Sequence, residues 1–163
     1  MAATAEKSTQ VSNASATPPV KNPAYNEGGD LKVFYFDFTQ GDAAGDAGST
    51  ADLLSMPPGK YRILLDQSCI SCSAFGASRV LDVGYTAYTN YDGTAVSADL
   101  DAFVTDADIS AVATVALTEA LSAGADRTYF VDSKEGFTLK ATVAGGTIPA
   151  AATLTGYVVV VGA

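Results

Sequence analysis

From residue 31 onward, apolar positions recur at every second residue. In LKVFYFDFTQ (31–40), Leu31, Val33 and Tyr35 alternate with Lys32, Phe34, Phe36 and Phe38. Aromatic and β-branched residues at period two predict a strand, here with both faces largely apolar. ADLLSM (51–56) predicts a short strand, and PPG (57–59) is turn chemistry. KYRILLDQ (60–67) sets Tyr61, Ile63 and Leu65 against Arg62, Leu64 and Asp66. SRVLDVGY (78–85), RTYFVDS (127–133), GFTLKATVA (136–144) and TLTGYVVVV (153–161) predict further strands, and NYDGT (90–94) a turn. ADISAVATVALTEALSAG (107–124) fits two periods. Ile109, Val112, Ala116 and Leu117 would line a helix face, whereas Ala111, Ala113, Val115 and Leu117 alternate as a strand. Its threonines and its neighbours favour the strand.

The closing stretch TVAGGTIPAAATLTGYVVVVGA (142–163) carries no charge, and Gly145-Gly146 turns the chain. The last two strands are therefore expected to be paired neighbours, covered on both faces by the opposite sheet and by another subunit. About eight short strands spaced by turns, with no long helix, predict an all-β fold: an antiparallel β-sandwich, jelly-roll-like, over residues 31–163.

Residues 1–30 follow another pattern. They are rich in Ala, Ser, Thr, Asn and Pro, and after Met1 their only sizeable apolar side chains are Val11, Val20 and Tyr25. Such a segment buries too little surface to offset its ordering entropy. Pro18, Pro19 and Pro23 favour an extended path. The expectation is an extended N-terminal arm, 1–30, that takes its order from the surface of another chain.

Composition narrows the chemistry. The chain has 163 residues, 48% of them hydrophobic and only 17% charged, with 18 acids against 9 bases and a net charge of −9. An acidic chain repels phosphate backbones, so no nucleic-acid partner is expected. No histidine is present, which removes the commonest general base and metal ligand together. MAATAEKSTQ lacks the apolar core of a signal peptide, and YVVVV is too short to span a bilayer, so no membrane partner is expected.

Four features invite chemistry and decline it. Cys69 and Cys72 in SCISCS follow a predicted strand with no helix after them, unlike a thioredoxin site, and zinc needs more ligands than two thiolates. The pair is read as small, half-buried side chains in a strand or turn. The Gly-rich stretch 41–50 has no lysine and two aspartates, so it is a surface loop, not a phosphate cradle. Between Leu81 and Asp126 lie Asp82, Asp92, Asp99, Asp101, Asp106, Asp108, Glu119 and Asp126 without a Lys or Arg. They lack calcium-loop spacing and are read as a solvated acidic rim. Carboxylate pairs for a glycosidase would want aromatic company, yet the chain has no tryptophan. No catalytic residue, metal site or cofactor is expected.

Four segments carry a resemblance: MPPGKYRILLDQS, AFGASRVLDVGYTAY, YDGTAVSADLDAF and GFTLKATVAGGTIPAAATLTGYVVVV. Together, over about residues 56–163, they resemble the capsid decoration, or cement, proteins of tailed bacteriophages. In that family a strand after a Pro-Gly turn leads to LGAS…LDVG, and the chain closes on GGTIPAGATLTGYV. The SCISCS pair and the Pro-containing arm are not part of the family pattern. The resemblance implies a β-sandwich on the outside of an icosahedral head, with no enzyme activity. It implies the major capsid protein and the chain itself as partners, a homotrimer first and a dimer second. Synthesis in the host cytoplasm would precede attachment to the virion. In this setting Val11, Pro18, Pro19, Val20, Pro23 and Tyr25 are the expected capsid-binding arm. The alternative is a virion fibre or adhesin domain that binds cell-surface carbohydrate, for which Tyr85, Tyr88 and Tyr91 in YTAYTNY would be the exposed aromatics. A bacterial surface module would carry an export signal.

Overall fold

The computed structural model describes residues 12–13, 15–21, 29–45, 48–118, 120–121 and 126–162. The strands run β1 (Asp30–Thr39), β2 (Thr50–Met56), β3 (Gly59–Leu64), β4 (Cys69–Cys72), β5 (Val80–Tyr85) and β6 (Tyr88–Thr89) in the first half. They continue with β7 (Ala95–Val96), β8 (Asp99–Asp108), β9 (Ala113–Ala116), β10 (Thr128–Ser133), β11 (Phe137–Ala144) and β12 (Thr153–Gly162). A 3-10 turn at Leu65–Gln67 separates β3 from β4.

The first sheet is organised around β12. One edge of β12 pairs β1 in an unbroken antiparallel register from Asp30 opposite Gly162 to Thr39 opposite Thr153. Its other edge pairs β3 at Val160–Gly162 and β4 at Leu154–Tyr157, with β10 beyond β3 and β9 beyond β4. The second sheet runs β2-β11-β5-β8, all antiparallel. In both sheets early strands alternate with late ones, and the chain crosses between sheets from β1 to β2 to β3, from β4 to β5, from β8 to β9 and from β10 to β11 to β12, while β5 and β8 pair within the second sheet. That order is a jelly roll. A small β6-β7 hairpin caps one end.

Period two explains why each strand belongs where it is. In β11, Phe137, Leu139, Ala141 and Val143 are buried while Thr138, Lys140 and Thr142 face outward. In β12, Leu154, Val158 and Val160 point into the core. Ile63, Ile70, Leu81, Val83, Phe103 and Val131 meet them there, each almost wholly excluded from water. Every such side chain contributes roughly 1.5–3 kcal/mol of transfer free energy.

Ser68 closes the gap between β3 and β4. Its hydroxyl donates to the Leu64 carbonyl at 2.7 Å and accepts from the Val159 amide at 2.9 Å. Its own N–H reaches Leu65, and its carbonyl accepts from Leu117. This one buried polar residue stitches the interrupted strand pair to β12.

Several expectations need correction. The last two strands are not neighbours: β11 lies in the second sheet between β2 and β5, and β12 in the first between β1 and β3/β4. The jelly roll separates them because the connection after Gly145-Gly146 crosses from sheet to sheet. The inner face of β12 is covered by the opposite sheet, and its outer face leaves Tyr157 exposed on the single chain. The 107–124 stretch is neither one helix nor one strand. It holds the end of β8, the short β9 and a turn at Leu117–Thr118. Strand β8, within the acidic stretch, was not predicted. Val11, Pro23 and Tyr25 of the arm lie outside the described residues, while Pro18, Pro19 and Val20 are exposed. There the Val20 amide donates to the Asn13 carbonyl at 3.0 Å.

Candidate assembly surface

The two outer faces of the sandwich differ in chemistry. On the second sheet, Thr138, Lys140 and Thr142 of β11 lie beside Asp52 of β2 and Asp82 of β5, and Lys140 Nζ meets Asp52 Oδ1 at 2.6 Å. That face is polar. On the first sheet, Leu31, Val33 and Tyr35 of β1 stand opposite Val161, Val159 and Tyr157 of β12. Leu31 and Tyr35 are 62% and 75% exposed. Farther across, Phe130 of β10 is exposed with the Arg62 guanidinium 5.5 Å above its ring. The Tyr35 and Tyr157 rings lie 6.0 Å apart. Single exposed apolar residues are ordinary on a protein surface, but a contiguous set on one sheet marks a contact surface.

The cysteines occupy the two sides of this sheet. Residues three apart in a strand point to opposite faces. Cys72 is buried in the core, and its thiol is pushed up to about 11 by burial. Cys69 is half-buried on the outer face next to Tyr157, whose phenol is raised by its hydrogen bond to that thiol. Both are free thiols. Their opposed directions rule out an intrachain disulfide while β4 is formed, and the strand reading of SCISCS holds.

The acidic stretch is structural in its local bonding. Asp92 Oδ1 accepts from the Thr94 amide, Asp108 Oδ1 from that of Ser110, and Asp126 Oδ1 from the amide and hydroxyl of Thr128. These bonds hold the three carboxyls below their ordinary range. Asp82 Oδ1 accepts from Asp106, a non-glycine residue at φ 53°; aspartate tolerates that left-handed backbone better than most. Asp99 is pushed up by desolvation and by Asp101 beside it. Among the described residues no group of three or more Cys, Asp or Glu is placed to hold a metal ion.

The tyrosine cluster is a core feature. Tyr85 and Tyr88 are buried with Phe103 and Phe137 against the half-buried Tyr129, at centroid separations of 5.2–5.9 Å among the contacting rings. The Tyr88 and Tyr129 hydroxyls share a hydrogen bond at 3.1 Å. Only Tyr91 of the expected platform is exposed, with the Lys60 ammonium 5.7 Å above its ring. One exposed ring is no sugar-stacking platform, so these residues give the carbohydrate alternative no support. A cleft of about 150 Å³ opens at the end of the sandwich between Phe34, Pro57, Pro58 and Tyr61, with Lys32 and Lys60 at its wall. Tyr61 donates to the Pro57 carbonyl there at 3.0 Å. Sequence reasoning missed this cleft because it joins residues more than twenty positions apart.

These features define an antiparallel jelly roll with one polar outer face and, on the other, an apolar patch along β1 and β12. Among solved structures, a chain of the cyanophage Pam1 capsid asymmetric unit shares this fold almost end to end. The match covers 88% of this chain and 93% of that one, with 13% identity and a TM-score of 0.51. A chain from the infectious bursal disease virus Gt strain matches over 82% of this chain and 32% of its own, with 11% identity and a TM-score of 0.49. One from the VP2 subviral particle of the same virus matches over 82% and 33%, with 15% identity and a TM-score of 0.41. This chain thus spans about a third of either infectious bursal disease virus chain. No protein-family model matches the sequence, and no curated protein matches it.

Proposed function

We propose that this chain is a non-enzymatic structural protein of a phage virion, which binds the outer surface of the capsid and stabilises it as a decoration or cement protein. The observation that carries the reading is the jelly roll matched end to end by a cyanophage capsid chain. A fold alone hosts many functions, so the sequence resemblance over residues 56–163 supplies the second support. The body suits the role: a compact core, and an apolar outer face available for contact. Its partners are the major capsid protein and further copies of itself. The resemblance implies three copies around a threefold position, after synthesis in the host cytoplasm.

Residues 1–30 are the proposed capsid-binding arm, with Val11, Pro18, Pro19, Val20, Pro23 and Tyr25 as its contacts. Val20 is exposed on the isolated chain, so its side chain is free to be covered. Prolines restrict a free arm and reduce the entropy lost on docking. Repetition over a particle adds avidity.

The test is twofold. Quantitative mass spectrometry of purified particles should find the chain in hundreds of copies; a handful of copies would instead indicate a fibre or a minor component. A chain lacking residues 1–28 should melt like the full chain yet be lost from capsids stripped of the native protein. Equal retention of the truncated chain would move the contact from the arm to the sandwich.

A further inference from the structure

We propose that β1 is a self-association edge: two copies of this chain join by antiparallel pairing of their β1 strands about a twofold axis at Val33. This takes the twofold self-contact in place of the threefold one that the resemblance implies first, and it does not depend on the capsid reading.

The open edge can be identified from the hydrogen bonds. Opposed residues in an antiparallel pair point their N–H and C=O groups either toward each other or both away, in alternation. The Val159 amide is bonded to Ser68, on the side of β12 away from β1. Its partner Val33 therefore points its own N–H and C=O outward, away from β12. Gln40, whose amide donates to Ala152, fixes the same phase from the other end. Leu31, Val33, Tyr35 and Asp37 thus present their backbone groups at an edge that no strand pairs among the described residues.

Proteins blunt such edges with bulges, charges, proline or brevity, because an open flat edge recruits other strands. The other edges here are blunted. Strand β2 has a register shift against β11 and carries Asp52, and β8 has two shifts against β5 and several aspartates. Strand β9 is four residues long, and β10 carries Asp132 paired to Lys60. Strand β1 has ten residues, no shift and no proline; its charges are Lys32 and, toward its two ends, Asp30 and Asp37, which leave Leu31–Phe36 with a single lysine. Its outward side chains Leu31, Val33 and Tyr35 are 62%, 39% and 75% exposed.

The occupant that fits is the same strand. Leu31-x-Val33-x-Tyr35 is apolar read in either direction. With Val33 on the axis, each Leu31 faces Tyr35 of the second copy, Val33 faces Val33, and Lys32 faces Phe34. Asp30 then lies opposite Phe36, so no like charges meet. Moving the axis to Tyr35 would set Val33 against Asp37 and lose this match. The three outward pairs supply about six backbone hydrogen bonds, two per opposed pair. The chain's net charge of −9 opposes most approaches of two copies. This seam keeps the acids of β8 apart because they lie in the other sheet. A twofold contact is self-complementary by construction.

Light scattering on the full chain at about 100 μM, a concentration that populates a micromolar contact, should report a dimer. Val33→Lys should give a monomer with an unchanged melting temperature, because it sets two ammonium groups against each other on the axis. Val33→Pro should do the same by removing an amide that β12 does not use. In a Cys69→Ser background, Val33→Cys should be joined to itself by a short bismaleimide, whereas Thr105→Cys on β8 should not. A monomeric or trimeric wild type would overturn the proposal. So would an oligomer indifferent to Val33→Lys, or equal cross-linking at both positions.

Discussion

Replacing Ser68 by alanine tests whether the interrupted β3–β4 pair depends on a single hydroxyl. Ser68 is 1% exposed, and its Oγ accepts from the Val159 amide at 2.9 Å and donates to the Leu64 carbonyl at 2.7 Å. Ser68→Ala keeps the Cβ and removes both bonds. Leaving a buried donor without a partner costs about 1–3 kcal/mol. The Leu64 carbonyl adds less, because an under-satisfied carbonyl is better tolerated. A total of about 2–3 kcal/mol is therefore expected, and at 2–4 °C per kcal/mol for a chain of this size the melting temperature should fall by roughly 4–12 °C. Urea melts followed by far-UV circular dichroism give the free energy, provided that the slope is unchanged. Ser71→Ala is the control: Ser71 bonds Thr114 on the exposed face at 3.1 Å and should cost under about 0.5 kcal/mol. A Ser68→Ala chain within 0.5 kcal/mol of wild type (the scatter of a neutral surface change) would refute the view that this hydroxyl holds β12 to the break.

Thr142→Val should be neutral or stabilise by up to about 1 kcal/mol, because Thr142 Oγ1 is buried without a hydrogen-bond partner and an apolar group of the same shape removes that cost; a loss above 1 kcal/mol in the same urea melts would contradict it. Burial pushes the Tyr61, Tyr88 and Tyr129 phenols above their ordinary value of 10.0. Once unfolded they ionise near that value, so the stability they carry is whole below pH 10 and drains as pH rises through the higher folded values. Tyrosinate absorbance should accordingly rise together with loss of near-UV dichroism; complete ionisation of all tyrosines in a still-folded chain would count against it. Toward Ellman's reagent at pH 8, Cys69 should react in the folded chain and Cys72 only after denaturation, since Cys72 is buried with its thiol pushed up to about 11; two equally fast thiols would show that β4 opens readily.

The long strands were legible because their alternation survives intact. In β11 every odd residue from Phe137 to Val143 is buried, and the sequence reads the same way. Strand β8 was hidden by its irregularity. Phe103 and Val104 are both buried although adjacent, and the register against β5 shifts twice. Tyr85 and Tyr88 looked like a surface cluster because the chain leaves β5 at Thr86, resetting the period before β6. Pairing was the least legible level. Nothing local in GGTIPAAATLTG says that the next strand joins the other sheet, since that choice belongs to the whole jelly roll. The apolar outer face of β1, by contrast, was written plainly in Leu31, Val33 and Tyr35, and only the open edge beside it required the structure.

The position of β12 sets the timetable of folding. The first sheet is assembled on the last described strand, which touches β1 across more than a hundred intervening residues. While a ribosome is still making residues 1–150, β1, β3 and β4 exist with nothing between them. The second sheet and the separate β3–β10 and β4–β9 pairs can form in the meantime, but nothing joins them to β1, and contacts so distant in sequence form slowly. The nascent chain therefore spends its synthesis with the apolar residues of β1 and β3 uncovered, a period in which aggregation and chaperone capture compete with folding. Completion is abrupt: the arrival of β12 supplies the central strand of one sheet and one wall of the core in a single step. Shortening the chain within β12 should consequently yield an insoluble product, a far harsher outcome than removing as many residues from its beginning.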